Sequence, residues 1–329
     1  MPTHSSAPPA APCREDDDRV PFSFELYPPK SDARESALHE TIQQLAAAGP
    51  QFISVTYGAG GSTGGRSLDV LRYIRRETEV EPLAHITCVG NTYAGATALI
   101  REFLDADITS FLALRGDPPA GTDEGDSFLG DLESAAQLTQ LIGRVQAERS
   151  PYTEYGIPGL PRAARVHDRQ RVQVAVAAFP HGHPRSRHPR EHIDALLAKQ
   201  AAGATLAITQ LFFHPDDYLG FVAQSRRAGV TIPILPGIMP ITSPARLRRV
   251  LELSGEELPS DLAIALELET TAEGQAEVGV AHAAELARAV LAGGAPGIHL
   301  YAFNSHDTVL AVLRDAGILT TSLQKGSAP

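Results

Sequence analysis

Cysteine occurs only twice in this chain of 329 residues. Cys13 stands in the leading segment and Cys88 inside an apolar run, which leaves neither a disulfide framework nor a cysteine pair at zinc-ligand spacing. A reducing compartment fits that usage, and the expected location is cytoplasmic. Basic charge is also short: 28 Lys plus Arg face 39 Asp plus Glu, a formal net charge of -11. That balance works against a nucleic acid or an acidic membrane surface as partner. No apolar run approaches the roughly 18 residues of a membrane helix. The opening "MPTHSSAPPAAPCREDDDRV" lacks the apolar core of roughly 7 to 15 residues that a signal peptide needs, and residues 1–20 and 321–329 read as disordered tails. Tryptophan is absent, yet 43% of the residues are hydrophobic, enough for a large core.

From Pro21 onward, short apolar or β-branched runs alternate with helix-period segments, the rhythm of successive βα units around a parallel sheet. The strand candidates are "FSFELY", "FISVTY", "LAHITCV", "ITSFLALR", "VQVAVAAF", "LAITQLFF", "TIPILPGI" and "GIHLYAF". Eight such units in roughly 250 residues or more point to an α/β fold closed as a single (β/α)8 TIM barrel over 21–320. Stretches such as "ESALHETIQQLAAAG" carry one apolar stripe and end on Gly, as an outer-ring helix does. Only 148–171 shows no clear period, and it reads as a surface insertion.

Chemistry in such barrels sits at the C-terminal ends of the strands. Those ends offer Glu25, Thr56, His85, Asp117, the histidine run, Gln210 and Asn304. Glu25 alternates with Phe24 and Leu26, which turns it into the barrel interior rather than to solvent, a position that suits a general acid. "LALRGDPP" ends the fourth strand either as a plain turn or as a site. Gly60 to Ser67 spells GxxxxGRS, one residue short of a phosphate-binding loop because Arg66 stands where lysine is required; a flexible βα loop is the better reading. "FPHGHPRSRHPREH" holds four histidines, His181, His183, His188 and His192. They are either metal ligands of a barrel hydrolase or solvated loop residues, with Pro184, Pro189 and several arginines against the metal. Gln210 in "ITQLFF" needs its amide satisfied, by neighbouring backbone or by a heterocyclic ligand.

The strings "FELYPPK", "FISVTYGAGGST", "HITCVG", "LALRGDPP", "AAFPHGHP", "AGATLAITQLFF", "PILPGIMPIT" and "PGIHLYAFN" resemble, in order, the methylenetetrahydrofolate reductase family of bacterial type. The resemblance implies a barrel that binds FAD non-covalently at its mouth, takes hydride from NADH or NADPH and reduces methylenetetrahydrofolate to 5-methyltetrahydrofolate, with no metal and as a homo-oligomer. It also implies that Glu25 protonates N10 of the folate, that Asp117 binds the pterin and tunes the flavin, and that Gln210 holds the folate ring. Thr56, His85, Arg115, Gly116, Asp117, Phe179, His183, His192 and Lys199 match flavin contacts. His192 stands where the family usually has an aspartate, Phe128 and Phe179 where many members have tyrosines, and Ser305 where many have a folate-binding arginine. The chain ends shortly after the eighth unit, so control by S-adenosylmethionine is not expected.

Overall fold

A computed structural model describes residues 19–29, 31–57, 64–118, 128–149, 152–157, 160–166, 172–182, 186, 188 and 190–319. The expected tails lie outside this set except for Arg19 and Val20. The first half of the chain runs β1 (Phe22–Leu26), α1 (Glu35–Ala47), β2 (Phe52–Val55), α2 (Gly64–Glu77), β3 (Glu81–Thr87), α3 (Tyr93–Asp105), β4 (Ser110–Leu114) and α4 (Ala135–Arg149). After a hairpin of β5 (Tyr152–Ile157) and β6 (Leu160–Val166) come β7 (Gln173–Ala178), α5 (Glu191–Ala201), β8 (Leu206–Thr209) and α6 (Pro215–Ala228). The last third holds β9 (Ile234–Leu235), β10 (Gly237–Ile238), α7 (Pro244–Ser254), α8 (Ser260–Leu268), α9 (Ala272–Ala292), β11 (Ile298–Tyr301) and α10 (His306–Asp315).

The main sheet is parallel in the order β10-β11-β1-β2-β3-β4-β7-β8-β9. Its two ends are one stretch of chain, because β9 and β10 are separated only by Pro236. Proline lacks the amide a ladder needs, so the strand is counted as two pieces although its carbonyls still serve both neighbours. Pro233 O accepts from Ala207 N and Pro236 O from His299 N, both at 2.9 Å. Counted as one, the pieces reduce nine strands to eight, and the sheet is the closed (β/α)8 TIM barrel that the sequence rhythm implies.

Period-two alternation divides the strand residues between two cores. Phe22, Phe24 and Leu26 of β1 face the helices and join the large outer core with residues such as Ile42, Leu45 and Val309. Phe52, Leu83, Leu112, Ala175, Ile208 and Leu235, one from each of six successive strands, form a separate apolar cluster in the barrel interior. This layer is the floor of the site. Helix ends are fixed locally: Ser243 accepts from Arg246 N at 3.2 Å at the start of α7, with Pro244 at N1 or N2. At the start of α6, Asp217 accepts from His214 N at 3.2 Å.

Two stretches depart from the plain rhythm. The 148–171 segment contains an antiparallel ladder, Tyr152 opposite Val166 through Ile157 opposite Leu160, with a bulge near Tyr155. "IPGL" was its signal, a Pro-Gly pair between two short runs. Between the seventh and eighth barrel strands the chain makes three helices, α7, α8 and α9, instead of one. The extra helices bury Leu211, Phe213, Ile241, Leu247, Val250, Leu262 and Leu266 in a core of their own.

Candidate active site

Above the apolar floor the interior turns polar. Glu25, 9% exposed, comes from β1, His85 from β3 and His299 from β11. Glu25 Oε2 lies 3.7 Å from His85 Nε2 and 3.9 Å from His299 Nε2. Both separations are too long for a hydrogen bond, and both Nε2 atoms are buried without a partner. The imidazole of His299 rests on the floor, its ring centroid 5.7 Å from that of Phe52, and its Nδ1 is bonded to Ser23 Oγ at 2.8 Å. Burial drives the His85 pKa down to about 4, against the pull of Glu25 and with a further push from His299. His85 is therefore neutral at working pH, and the Glu25 carboxyl stands beside two imidazoles without a hydrogen bond to either.

The other strand ends surround this centre. Thr56 N continues the ladder onto Leu26 O at 2.9 Å, and Thr56 O accepts from Ser67 Oγ at 2.9 Å, which ties the end of β2 to α2. Gly116 has φ +83, and a Cβ there would stand 2.5 Å from Val89 Cγ2, so the turn after β4 requires glycine. Beside it the Arg115 guanidinium lies 5.4 Å from the centroid of Phe128, while Asp117 is exposed. The Gln210 Oε1 accepts from Leu211 N at 2.9 Å, leaving its Nε2 protons as the group it can offer. Asn304, at φ +57, spends its amide on the backbone of Tyr27, accepting from its N at 2.8 Å and donating to its O at 2.9 Å. Asn304 thus pins β1 to the eighth unit.

A third group lies between β7 and α5. Lys199 Nζ donates to Ala177 O at 2.9 Å and sits 5.9 Å from the ring centroid of Phe179. Burial lowers its pKa to about 8. His192 packs against Phe221 at 5.8 Å between ring centroids, its Nδ1 buried and without a partner. Burial lowers its pKa more than Asp194 raises it, so the neutral imidazole is the form available there. His183 lies outside the described residues, as do Gly60 and Thr63 of the glycine-rich loop. Arg66, which the sequence reading put in that loop, lies in the first turn of α2 and is engaged at the surface, donating to Pro29 O at 3.1 Å.

The hydrolase alternative is not supported. His181 is bracketed by Asp217 and Glu256, His188 is exposed and His192 is packed on Phe221, so these three serve different neighbours. Among the described residues no group of three or more His, Cys, Asp or Glu could hold a metal ion. Sequence reading missed Ser23 and His299; alternation was the available signal, since Ile298 and Leu300 face outward and leave His299 inside.

Barrels keep their chemistry at this face, and the chain falls in the class of α/β barrel enzymes. A profile of the family described as methylenetetrahydrofolate reductase matches residues 13–317, and the chain belongs to that family. It is 31% identical over 323 residues to the probable methylenetetrahydrofolate reductase (NADH) of Oryza sativa subsp. japonica, covering 95% of this chain and 51% of the relative. The chain thus spans about half the length of that relative. It is 27% identical over 301 residues to the 5,10-methylenetetrahydrofolate reductase of Salmonella typhimurium, covering 91% of this chain and 92% of the relative. Among solved structures, an uncharacterised protein of Clostridium thermocellum that binds two copies of 5-methyl-5,6,7,8-tetrahydrofolic acid aligns with a TM-score of 0.55 at 14% identity, covering 91% of this chain and 94% of that one. That likeness bears on the fold. No helix among the described residues is long and apolar enough to cross a membrane.

Proposed function

We propose that this barrel reduces 5,10-methylenetetrahydrofolate to 5-methyltetrahydrofolate with non-covalent FAD and NADH or NADPH as hydride donor, as a cytoplasmic homo-oligomer. The observation that carries the reading is the Glu25 carboxyl, buried above an apolar floor at the mouth, with two unpartnered histidine nitrogens within 3.9 Å of it. A reaction that opens a ring at nitrogen needs a proton delivered there, and Glu25 supplies it to N10 of the folate. His299, bonded through Nδ1 to Ser23, turns Nε2 toward that carboxyl and lines one side of it. Neutral His85 closes the other side without adding positive charge. Gln210 offers its Nε2 protons to the pterin, and Asp117 accepts from it.

The residues at the mouth fit a flavin. Lys199 brings a cation and His192 an unpartnered buried nitrogen to the β7–α5 side, a suitable pair for a diphosphate. Thr56, His85, Arg115, Gly116, Asp117 and Phe179 would line the rest, as the family resemblance implies. When bound, the flavin carries the hydride from nicotinamide to folate.

A visible spectrum and a pyridine nucleotide oxidation assay with methylenetetrahydrofolate test the proposal. Absorption near roughly 450 nm together with folate-dependent turnover is expected; a colourless protein without turnover after FAD is added would refute it. Two variants test the details. Asp117→Asn is expected to weaken folate binding and raise the flavin reduction potential, because removing a negative charge makes the anionic reduced flavin less costly; spectroelectrochemistry showing an unchanged or lower potential contradicts the placement. Lys199 is charged below its pKa of about 8 and loses that charge above it. FAD affinity should therefore fall as pH rises through that value, and Lys199→Met should remove most of the fall, as read by flavin fluorescence titration.

A further inference from the structure

We propose that His181 is a positioning residue, a proton-held clamp that fixes the turn Phe179–Gly182 at the end of β7 against two other elements of the mouth. Its imidazole Nε2 lies 3.0 Å from Asp217 Oδ1, in the first turn of α6, and its Nδ1 lies 2.6 Å from Glu256 Oε2, in the connection between α7 and α8. The three residues are far apart in sequence, so the contact joins three separate segments at one side chain. Glu256 is 9% exposed and His181 44% exposed, which places one bond in a screened setting and leaves the ring edge near water.

Both ring nitrogens face carboxylate oxygens. Both bonds can be hydrogen bonds only if each contact holds a proton, and a neutral imidazole carries one. The second proton is held within the Asp217–His181–Glu256 group, on the ring or on a carboxyl. Removing it sets a nitrogen lone pair against a carboxylate, and that bond becomes a repulsion. Asp217 is fixed through its other oxygen, which accepts the His214 amide that opens α6, so loss of the second proton leaves the ring with one of its two anchoring bonds.

The groups around the ring set the direction. Burial works to lower the His181 pKa, but the bonds and charges of Asp217 and Glu256 outweigh it, and the net shift is upward from 6.5. Burial raises the Glu256 carboxyl, His181 pulls it down, and the charges of Asp217 and Glu257 push it up again, for a net rise. His214 adds a backbone amide to Asp217. With the folded-state value above the ordinary one, the clamp's contribution is complete below about pH 6.5 and is lost as pH rises through the folded value.

The clamped turn matters for the proposed cofactor site, and this part of the inference rests on that reading. Gly182, at φ +86, donates its amide to Phe179 O at 3.1 Å, and Phe179 is the ring beside Lys199. Releasing His181 frees the far end of that turn and loosens the position of Phe179.

The test uses the full chain with and without FAD. In the FAD-free protein, the hydrogen-exchange protection factor of the Gly182 amide is expected to fall roughly tenfold from about pH 6 to about pH 9, the scale of one charge-assisted hydrogen bond. The His181 ring resonances should titrate over the same range by NMR. His181→Gln should abolish the pH dependence of protection and, at about pH 6, weaken FAD binding roughly tenfold. Glu256→Gln, which leaves His181 in place, should move the midpoint of both the exchange and ring titrations to lower pH. Protection that is flat with pH in the wild type, the same pH dependence in His181→Gln, or an unmoved midpoint in Glu256→Gln would each overturn the clamp. Should FAD fail to bind any of the proteins, the cofactor reading falls, while the exchange and NMR titrations still decide the clamp.

Discussion

Glu25→Gln is expected to lower folate reduction by about 100-fold to 10,000-fold, the range typical of general acid catalysis, while reduction of the flavin by the pyridine nucleotide stays within a few-fold of the wild type. The amide keeps the shape of the carboxyl but has no acidic proton to give, and only the folate half-reaction asks for one. The carboxyl makes no close bond to His85 or His299, at 3.7 Å and 3.9 Å, so the substitution removes a desolvated acid without breaking a strong contact. The thermal midpoint should accordingly hold or rise, a group kept for function at some cost in stability. Stopped-flow traces of the two half-reactions decide the matter: a parallel loss in both would show that Glu25 holds the site together instead of serving the folate step, and unaltered folate reduction would remove it from the mechanism.

His85 was legible in the sequence as a strand-end residue, and Glu25 could be read because successive strand residues point to opposite faces: with Phe24 and Leu26 toward the helices, Glu25 points inward. The same rule applies to His299, but "GIHLYAF" is so apolar that the histidine passes for an ordinary strand residue. What alternation does not give is the far end of a contact. Asp217 and Glu256 lie 36 and 75 positions beyond His181, counted from their residue numbers, and nothing local marks them as its partners. Asn304 shows the converse. As a polar strand-end residue it read as part of the mouth's ring, yet the left-handed turn at Phe303 and Asn304 folds its amide back onto Tyr27. The helices α7 and α8 escaped the βα rhythm because a third helix between two strands leaves the strand count unchanged.

Closure of the barrel places the other large effect at Gly237. A Cβ at this position would stand 2.2 Å from Thr209 O and 2.8 Å from Tyr301 Oη. Neither atom is free to retreat. Tyr301 Oη donates to that same Thr209 carbonyl at 2.8 Å, and the Thr209 side chain accepts from Gly237 N at 2.9 Å. The seam beside Pro236 therefore depends on backbone passing close to backbone, where a methyl group has no room. Gly237→Ala is expected to cost about 3 kcal/mol or more, the upper end of overpacking effects, and to lower the melting midpoint by roughly 4 to 5 °C or more. Because Tyr301 pairs in register with Glu25, the displaced tyrosine should also disturb the acid, and kcat/KM should fall with stability. Adding Tyr301→Phe removes only the hydroxyl contact and should recover a small part of the loss, since the ring carbon Cε2, at 2.9 Å, and the Thr209 carbonyl still block the methyl. Calorimetry of the single and double variants checks this: a single variant within about 1 kcal/mol of the wild type would mean that the seam can open to admit a side chain, and that glycine is not what closes this barrel.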